Sequence, residues 1–509
     1  MIGLIKNEYG WKRILEQEKV PWENINLNKN IKGYSFLILN SRDLDENKIN
    51  KIKSYLSKGG AMLTDTLSFK QLDKHRKISK VYIKNISGKD VLFRNINSIN
   101  IEKIGYKIKN SSIIYKSRFG KGFVIVLPFD LNLLMLDKRS KKSYLSSNHT
   151  LLKENLSLVS KGDLRRLIIN CFHYLYFIRN LPYIHIWYYP KNYESVFSYR
   201  IDLDIFNQNE INNIIKIINK YKISFTWFLS VIDNKNHQDG IKNLHNLKQD
   251  LQSHSYEHLV YNSFDENYKN ILESSNFISK IYKKPIGFAG PFGYWNKNLG
   301  IALEKLNYLY SSEFSLSYDD LPFYPYLEKS ESKVLQLPIY PACIGLMIHR
   351  LYSKKQMKDY FDYLIEMRYK KQMPLFLYDH PNNGVGNYPD VLDYTLNKIE
   401  NLDNVLITTM TDFAKFWRKR EKIKFKIKNN KIITNNMFND IYLRIVFPGY
   451  KEVRTPLKNQ NININKLSMK QMPFFYDKKI NKLKILKSKL TFSMFYLKIL
   501  LNAIAKKLI

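Results

Sequence analysis

Two cysteines in 509 residues are too few to staple a fold. Cys171 and Cys343 stand far apart in apolar surroundings, which reads as two buried thiols and argues against a disulfide framework or a cysteine-rich metal cluster. Long hydrophobic runs are missing too. Nowhere do eighteen apolar residues follow one another, so no membrane-spanning helix is expected. The opening residues, Met1-Ile2-Gly3-Leu4-Ile5-Lys6-Asn7-Glu8, reach charge before an apolar stretch develops, and no secretory leader is expected. The cytoplasm is the location these absences predict. Acidic residues are scarce as well: 45 Asp+Glu face 82 Lys+Arg, a formal net charge of +37. Such an excess attracts nucleic acid, anionic lipid or acidic glycan. No nucleic-acid recognition signature accompanies it, so specific nucleic-acid binding is not expected.

What is present is ample apolar material, 44% hydrophobic and 14% aromatic. A chain this long is expected to build more than one core, and its patterning divides into 1–180, 181–420 and 421–509. In the first part, Ser35-Phe36-Leu37-Ile38-Leu39 predicts a buried strand. Asp45 opens a helix carried by Ile49, Ile52, Tyr55 and Leu56, and Gly59-Gly60 stops it. Strands follow at 61–65 and 123–127, with an apolar helix at 164–177. In the second part, strands at 195–201, 223–229, 285–291, 375–380 and 405–409 alternate with helices at 209–221 and 267–282. Repeated strand-then-helix units predict an α/β fold with a parallel sheet or barrel and its chemistry at the strand C-termini.

After residue 420 the pattern changes. Residues 422–427 alternate with period two and predict a half-exposed antiparallel strand, with 441–446 as its partner. This part holds about 20 basic residues against about 4 acidic ones. It closes on an amphipathic helix predicted over 490–509, with Phe492, Phe495, Tyr496 and Ile499 on one face. The expectation is that this helix packs on its own domain; the rival reading lays it on an anionic membrane surface. Oligomeric state is not legible.

Chemistry-bearing residues concentrate in Arg200-Ile201-Asp202-Leu203-Asp204 and His254-Ser255-Tyr256-Glu257-His258. Two imidazoles at i and i+4 share one side of a helical turn and can reach one ion. A carboxylate at the end of a strand would complete a three-ligand face, and a second carboxylate beside it could take a proton from water. His75, His149, His173, His185, His237, His245 and His349 join no such constellation.

These motifs resemble those of the polysaccharide deacetylases, metal-dependent carbohydrate esterases acting on N-acetylated sugars, and the resemblance spans roughly 190–420. It implies a distorted (β/α) barrel. It also implies Asp202 as general base and Asp204, His254 and His258 as ligands of a divalent metal, with zinc preferred. The family's Arg-x-Pro-x-Gly motif reads Ala289-Gly290-Pro291-Phe292-Gly293 here, so its arginine is missing. Arg200, two residues before Asp202 and on the same side of the strand, is the candidate substitute. Asp319 and Asp320 fit the family's supporting aspartate, and His380 in Tyr378-Asp379-His380-Pro381 fits its general acid. Pro291, Phe292, Gly293, Tyr294 and Trp295 are the candidate substrate wall. The implied activity removes an N-acetyl group from an amino sugar in a polysaccharide or glycan precursor. Two alternatives stand beside it, a cyclic imide or ureide amidohydrolase and an inactive glycan-binding scaffold. The first 180 residues resemble the flavodoxin-like domain of class I glutamine amidotransferases. Neither cysteine sits on the tight strand-to-helix turn a nucleophile needs, so a non-catalytic domain is expected there.

Overall fold

Strand Ser195–Leu203 is buried at all nine residues and organises the largest sheet. Its alternation puts Phe197, Tyr199, Ile201 and Leu203 on one face and Ser198, Arg200 and Asp202 on the other. On one side it pairs in parallel with Thr226–Leu229, and the sheet continues through Asp250–Ser253, Gly287–Phe288, Tyr310–Ser311 and Leu335–Gln336. On the other side it pairs with Leu375–Asp379, while Val405–Ile407 pairs with its start on the Thr226–Leu229 side. The eight parallel strands form a curled half-barrel, and a hydrogen bond from Tyr340 N to Phe376 O (2.9 Å) links the segment after edge strand Leu335–Gln336 to the opposite edge strand, Leu375–Asp379. Helices Gln208–Tyr221, Gln238–Asn246, Phe264–Ile281 and Lys354–Lys370 fall between the strands. The first of these is capped by the side chain of Asn207 and buries Ile211, Ile214 and Ile218, the stripe its sequence predicts.

This computed structural model describes residues 1–146, 151–428, 431–434, 437–458, 461–464 and 467–472. The helix predicted over 490–509 lies outside them. Among the described residues no helix is long and apolar enough to cross a membrane, and both cysteines are buried and free.

Residues before the half-barrel build a six-stranded sheet in the order Trp22–Asn24, Ile2–Ile5, Phe36–Leu39, Ala61–Asp65, Gly122–Leu127, Tyr115–Phe119. All pairings are parallel except the last. Gly122 is required by close approach, since a Cβ there would lie 2.2 Å from the carbonyl oxygens of Gly60 and Leu56. Helix Lys161–Phe177 belongs to this body's core, and its N-terminus docks on the half-barrel loop holding Asp319 and Asp320.

That contact corrects the expected role of the two aspartates. Asp320 is fully buried and accepts from Arg13 Nη2 (2.6 Å), Arg165 Nε (2.8 Å) and Gln17 Nε2 (3.1 Å). Asp319 Oδ2 accepts from Asp163 N (3.2 Å). Asp320 neutralises buried arginines, which need a paired charge, and Asp319 accepts from backbone where the two bodies meet. Neither supports His380.

A second correction concerns the C-terminal strands. Phe425–Lys428 pairs with Lys431–Thr434, not with 441–446. Tyr442–Phe447 pairs instead with Lys451–Pro456 and with Tyr183–Ile186. Period-two alternation marks a strand but does not choose its neighbour.

Candidate metal centre

Each side chain of the centre stands at or just beyond the C-terminal end of a half-barrel strand. Asp202 and Asp204 come from the end of Ser195–Leu203, His254 and His258 follow Asp250–Ser253, and His380 follows Leu375–Asp379. Parallel pairing of these strands brings residues distant in sequence to one rim.

Asp204 is the hub. Its Oδ1 lies 3.2 Å from His258 Nε2 and 3.5 Å from His254 Nε2, and its Oδ2 lies 3.4 Å from His380 Nε2. One ligand atom from each of Asp204, His254 and His258 falls within 4.8 Å of the others. Asp204 Oδ1 is buried without a hydrogen-bond partner although two imidazole nitrogens face it. A carboxylate oxygen and two Nε2 atoms converging on one point fit a divalent cation of the zinc type. His254 Nδ1 is 2.7 Å from Ala289 O and donates to it, so Nε2 carries the lone pair turned toward Asp204. Burial pushes the Asp204 carboxyl up, but the adjacent His258, then His254 and His380, outweigh it and hold the group down at about 2. Burial takes His254 down to about 4 against the opposing pull of Asp202 and Asp204. A neutral imidazole beside an ionised carboxylate is the protonation pattern that metal ligation needs.

The histidine pair is not helical, contrary to the sequence-based expectation. The strand ends at Ser253, and the backbone turns through positive φ at Ser255 (70°) and His258 (53°). Asn270 of helix Phe264–Ile281 holds this turn in place. Its Oδ1 accepts from Tyr256 N and Glu257 N, both at 2.9 Å, and its Nδ2 donates to Leu259 O (3.0 Å). Asn270 went unnoticed in the sequence. Its signal was an amide among Ile271, Ser274 and Ile278 on the buried face of the helix.

Asp202 is buried and held in a fork. Arg200 Nε donates to Oδ1 and Nη2 to Oδ2, each at 2.5 Å, while Nη1 donates to Ser312 O at 2.5 Å. Burial raises the Asp202 carboxyl, yet Arg200 and then His254 pull it below its ordinary range, so it is ionised. Arg200 thus holds the Asp202 carboxylate, the contact expected from their two-residue spacing on the strand. Position 289 supplies the carbonyl that orients His254.

The loop after Gly287–Phe288 divides the expected substrate wall. Phe292 is 75% exposed at φ 57°, with its ring 5.2 Å from that of His258. Tyr294 is 44% exposed. Pro291 and Gly293 are buried beneath them, and Gly293 combines φ +64° with a Cβ position 2.1 Å from the Phe314 ring. Trp295 is a correction. It is only 5% exposed and packs with Leu299, Ala302 and Leu303, so it belongs to a core rather than to the wall. Glu313 was also missed. It is fully buried, and its Oε1 accepts from Gly290 N (2.9 Å) and its Oε2 from Gln336 Nε2 (2.7 Å), fastening this loop from below.

The curled parallel sheet thus carries two aspartates and three histidines at its carboxyl rim, three of them placed where they could hold one cation. Residues 201–311 match the family model described as polysaccharide deacetylase, a segment that spans Asp202, Asp204, His254 and His258. Among solved structures, the chain is similar to the probable polysaccharide deacetylase of Pseudomonas aeruginosa PAO1, at 14% identity and TM-score 0.39, covering 45% of this chain and 92% of that one. It is similar to the Puue allantoinase at 16% identity and TM-score 0.38, covering 45% and 91%. It is also similar to a CE4 family pseudoenzyme from Bacillus anthracis at 15% identity and TM-score 0.32, covering 44% and 68%. A comparison with curated proteins gives no match.

Proposed function

We propose that this chain is a metal-dependent deacetylase that removes the N-acetyl group from an amino sugar within a polysaccharide or glycan precursor. The observation that carries the reading is the convergence of Asp204, His254 and His258 beside an arginine-clamped Asp202. A divalent cation held by those three residues, zinc for preference, would supply Lewis-acid polarisation of water and of the amide carbonyl. The chain's own residues do the rest. Asp202, ionised and fixed by Arg200, accepts a proton from the water whose oxygen attacks the acetyl carbon. His380, with Nε2 3.4 Å from Asp204 Oδ2, gives a proton to the nitrogen as the carbon–nitrogen bond breaks, leaving acetate and a free amine. Phe292 and Tyr294 offer aromatic faces at the mouth for a sugar ring.

The division into 1–180, 181–420 and 421–509 belongs to the same proposal. The strand order of the first sheet supports a flavodoxin-like body. Its one cysteine, Cys171, lies inside a helix with burial pushing the thiol up, which supports a non-catalytic role.

The test is acetate release from N-acetylated oligosaccharides, measured beside ring opening of a cyclic imide. The expected result is acetate with the first and no turnover of the second. Imide opening alone would replace the proposed substrate class. Phe292→Ala should raise KM for the oligosaccharide several-fold while leaving stability within about 0.5 kcal/mol, as expected of an exposed side chain.

A further inference from the structure

Away from the metal centre, a small recess of about 60 Å³ opens where the N-terminal body, the half-barrel and the C-terminal sheet meet. Its walls carry Arg94, Arg165, Arg166, Lys370, Lys371 and Arg444, with Asn95, Asn170 and Gln372 between them, and among the described residues no carboxylate lines it.

One face comes from helix Lys161–Phe177, whose residues 165, 166, 169, 170 and 173 share a side. The opposite wall comes from the end of helix Lys354–Lys370 and the turn after it. The balancing acids stand behind the walls. Glu18 and Asp320 hold Arg165, Glu452 holds Arg444, and Glu366 holds Lys370. Asp163 is shared at 3.6 Å by Lys371 and at 3.7 Å by Arg166. These pairings hold the cations in position but leave the cavity side positive.

Among the buried polar atoms of the lining residues, His173 Nδ1 and Arg166 Nε have no hydrogen-bond partner, Asp163 standing 3.7 Å from the latter. Burial, then Arg444 and Arg94, take His173 down to about 3, as expected where an imidazole meets like charge with no anion between.

We propose that this recess binds a phosphoryl group, as free phosphate or as the phosphate of a larger ligand. Guanidinium groups suit it because their planar forks match phosphate oxygens, and several cations around one cavity favour a dianion over a monoanion. Arg166 and Lys371 both line it and share a single carboxylate, Asp163, at 3.7 and 3.6 Å, so a bound dianion would meet positive charge that Asp163 alone does not balance.

The experiment is calorimetric titration of the full-length protein with inorganic phosphate, with sodium acetate as a second arm and vesicles of phosphatidylcholine with phosphatidic acid as a third. Saturable phosphate binding is expected, at least tenfold weaker in Arg166→Gln/Lys371→Gln, with acetate much weaker than phosphate. Vesicle binding that is lost in the same variant would identify the phosphate as a lipid headgroup; free phosphate binding alone would identify a soluble ligand. Phosphate held equally by the parent and the variant would sit elsewhere, including at the metal centre, and would overturn the proposal. So would failure to saturate by about 10 mM. Lys370→Gln/Lys371→Gln, which leaves the buried Arg166 in place, serves as the second variant should the first fold poorly. Neither outcome depends on the deacetylase reading, which acetate release tests separately.

Discussion

Replacing Asp202 with Asn is expected to lower turnover by about 10²–10⁴-fold, the range general-base catalysis supplies, while bound metal is retained. Asp202 is not among the three converging ligand atoms, so cation affinity should change little. The amide keeps the shape of the carboxylate but cannot accept a proton at neutral pH. Its NH2 would also face an Arg200 nitrogen that now donates to an oxygen, so one of two short hydrogen bonds is lost and some stability with it. Acetate release with metal analysis on the same sample checks both halves. Full activity in the variant would refute the assignment of the base.

Arg200→Met is expected to be as damaging by a different route. The side chain is 1% exposed and fills space between the rings of Phe228 and Tyr378. Methionine keeps part of that volume and leaves the Asp202 carboxylate buried without a counter-charge. Removing one partner of a buried pair costs about 3–5 kcal/mol, which equilibrium unfolding would register. The sign of the pH dependence follows from the folded-state shift. Asp202 is held below its ordinary 3.8, so the pair contributes fully above that value and its contribution fades as pH falls through the lower folded one. The parent–variant difference should therefore be whole at pH 7 and shrink in strong acid. Arg200→Lys should not restore the parent, because an ammonium cannot span both carboxylate oxygens and Ser312 O together. Rescue by lysine would mean that charge alone suffices and that the fork geometry is incidental.

Much of the centre was legible because its signals are local. Asp202 and Arg200 share a face through the two-residue period of a strand, so their meeting could be read from spacing alone. His254 and His258 were legible as a pair, although their backbone is a turn propped by Asn270, and a pair spaced by four fits either shape. What escaped depends on tertiary partners. Nothing near Asp319 and Asp320 in sequence announces Arg13 or Arg165, more than 150 residues away. The aromatic pair Tyr294-Trp295 gives no sign that one ring faces solvent and the other a core. Pairing of Tyr183–Ile186 with Tyr442–Phe447 likewise joins segments about 260 residues apart, which alternation cannot specify.

The central claim is that Asp204, His254 and His258 close on one cation, and metal content tests it most directly. Parent protein purified without chelator should carry about one divalent ion per chain, and His254→Ala/His258→Ala should carry none while keeping its fold by circular dichroism. A parent that takes up no metal even when zinc is supplied, or a double variant that holds as much as the parent, would contradict the account.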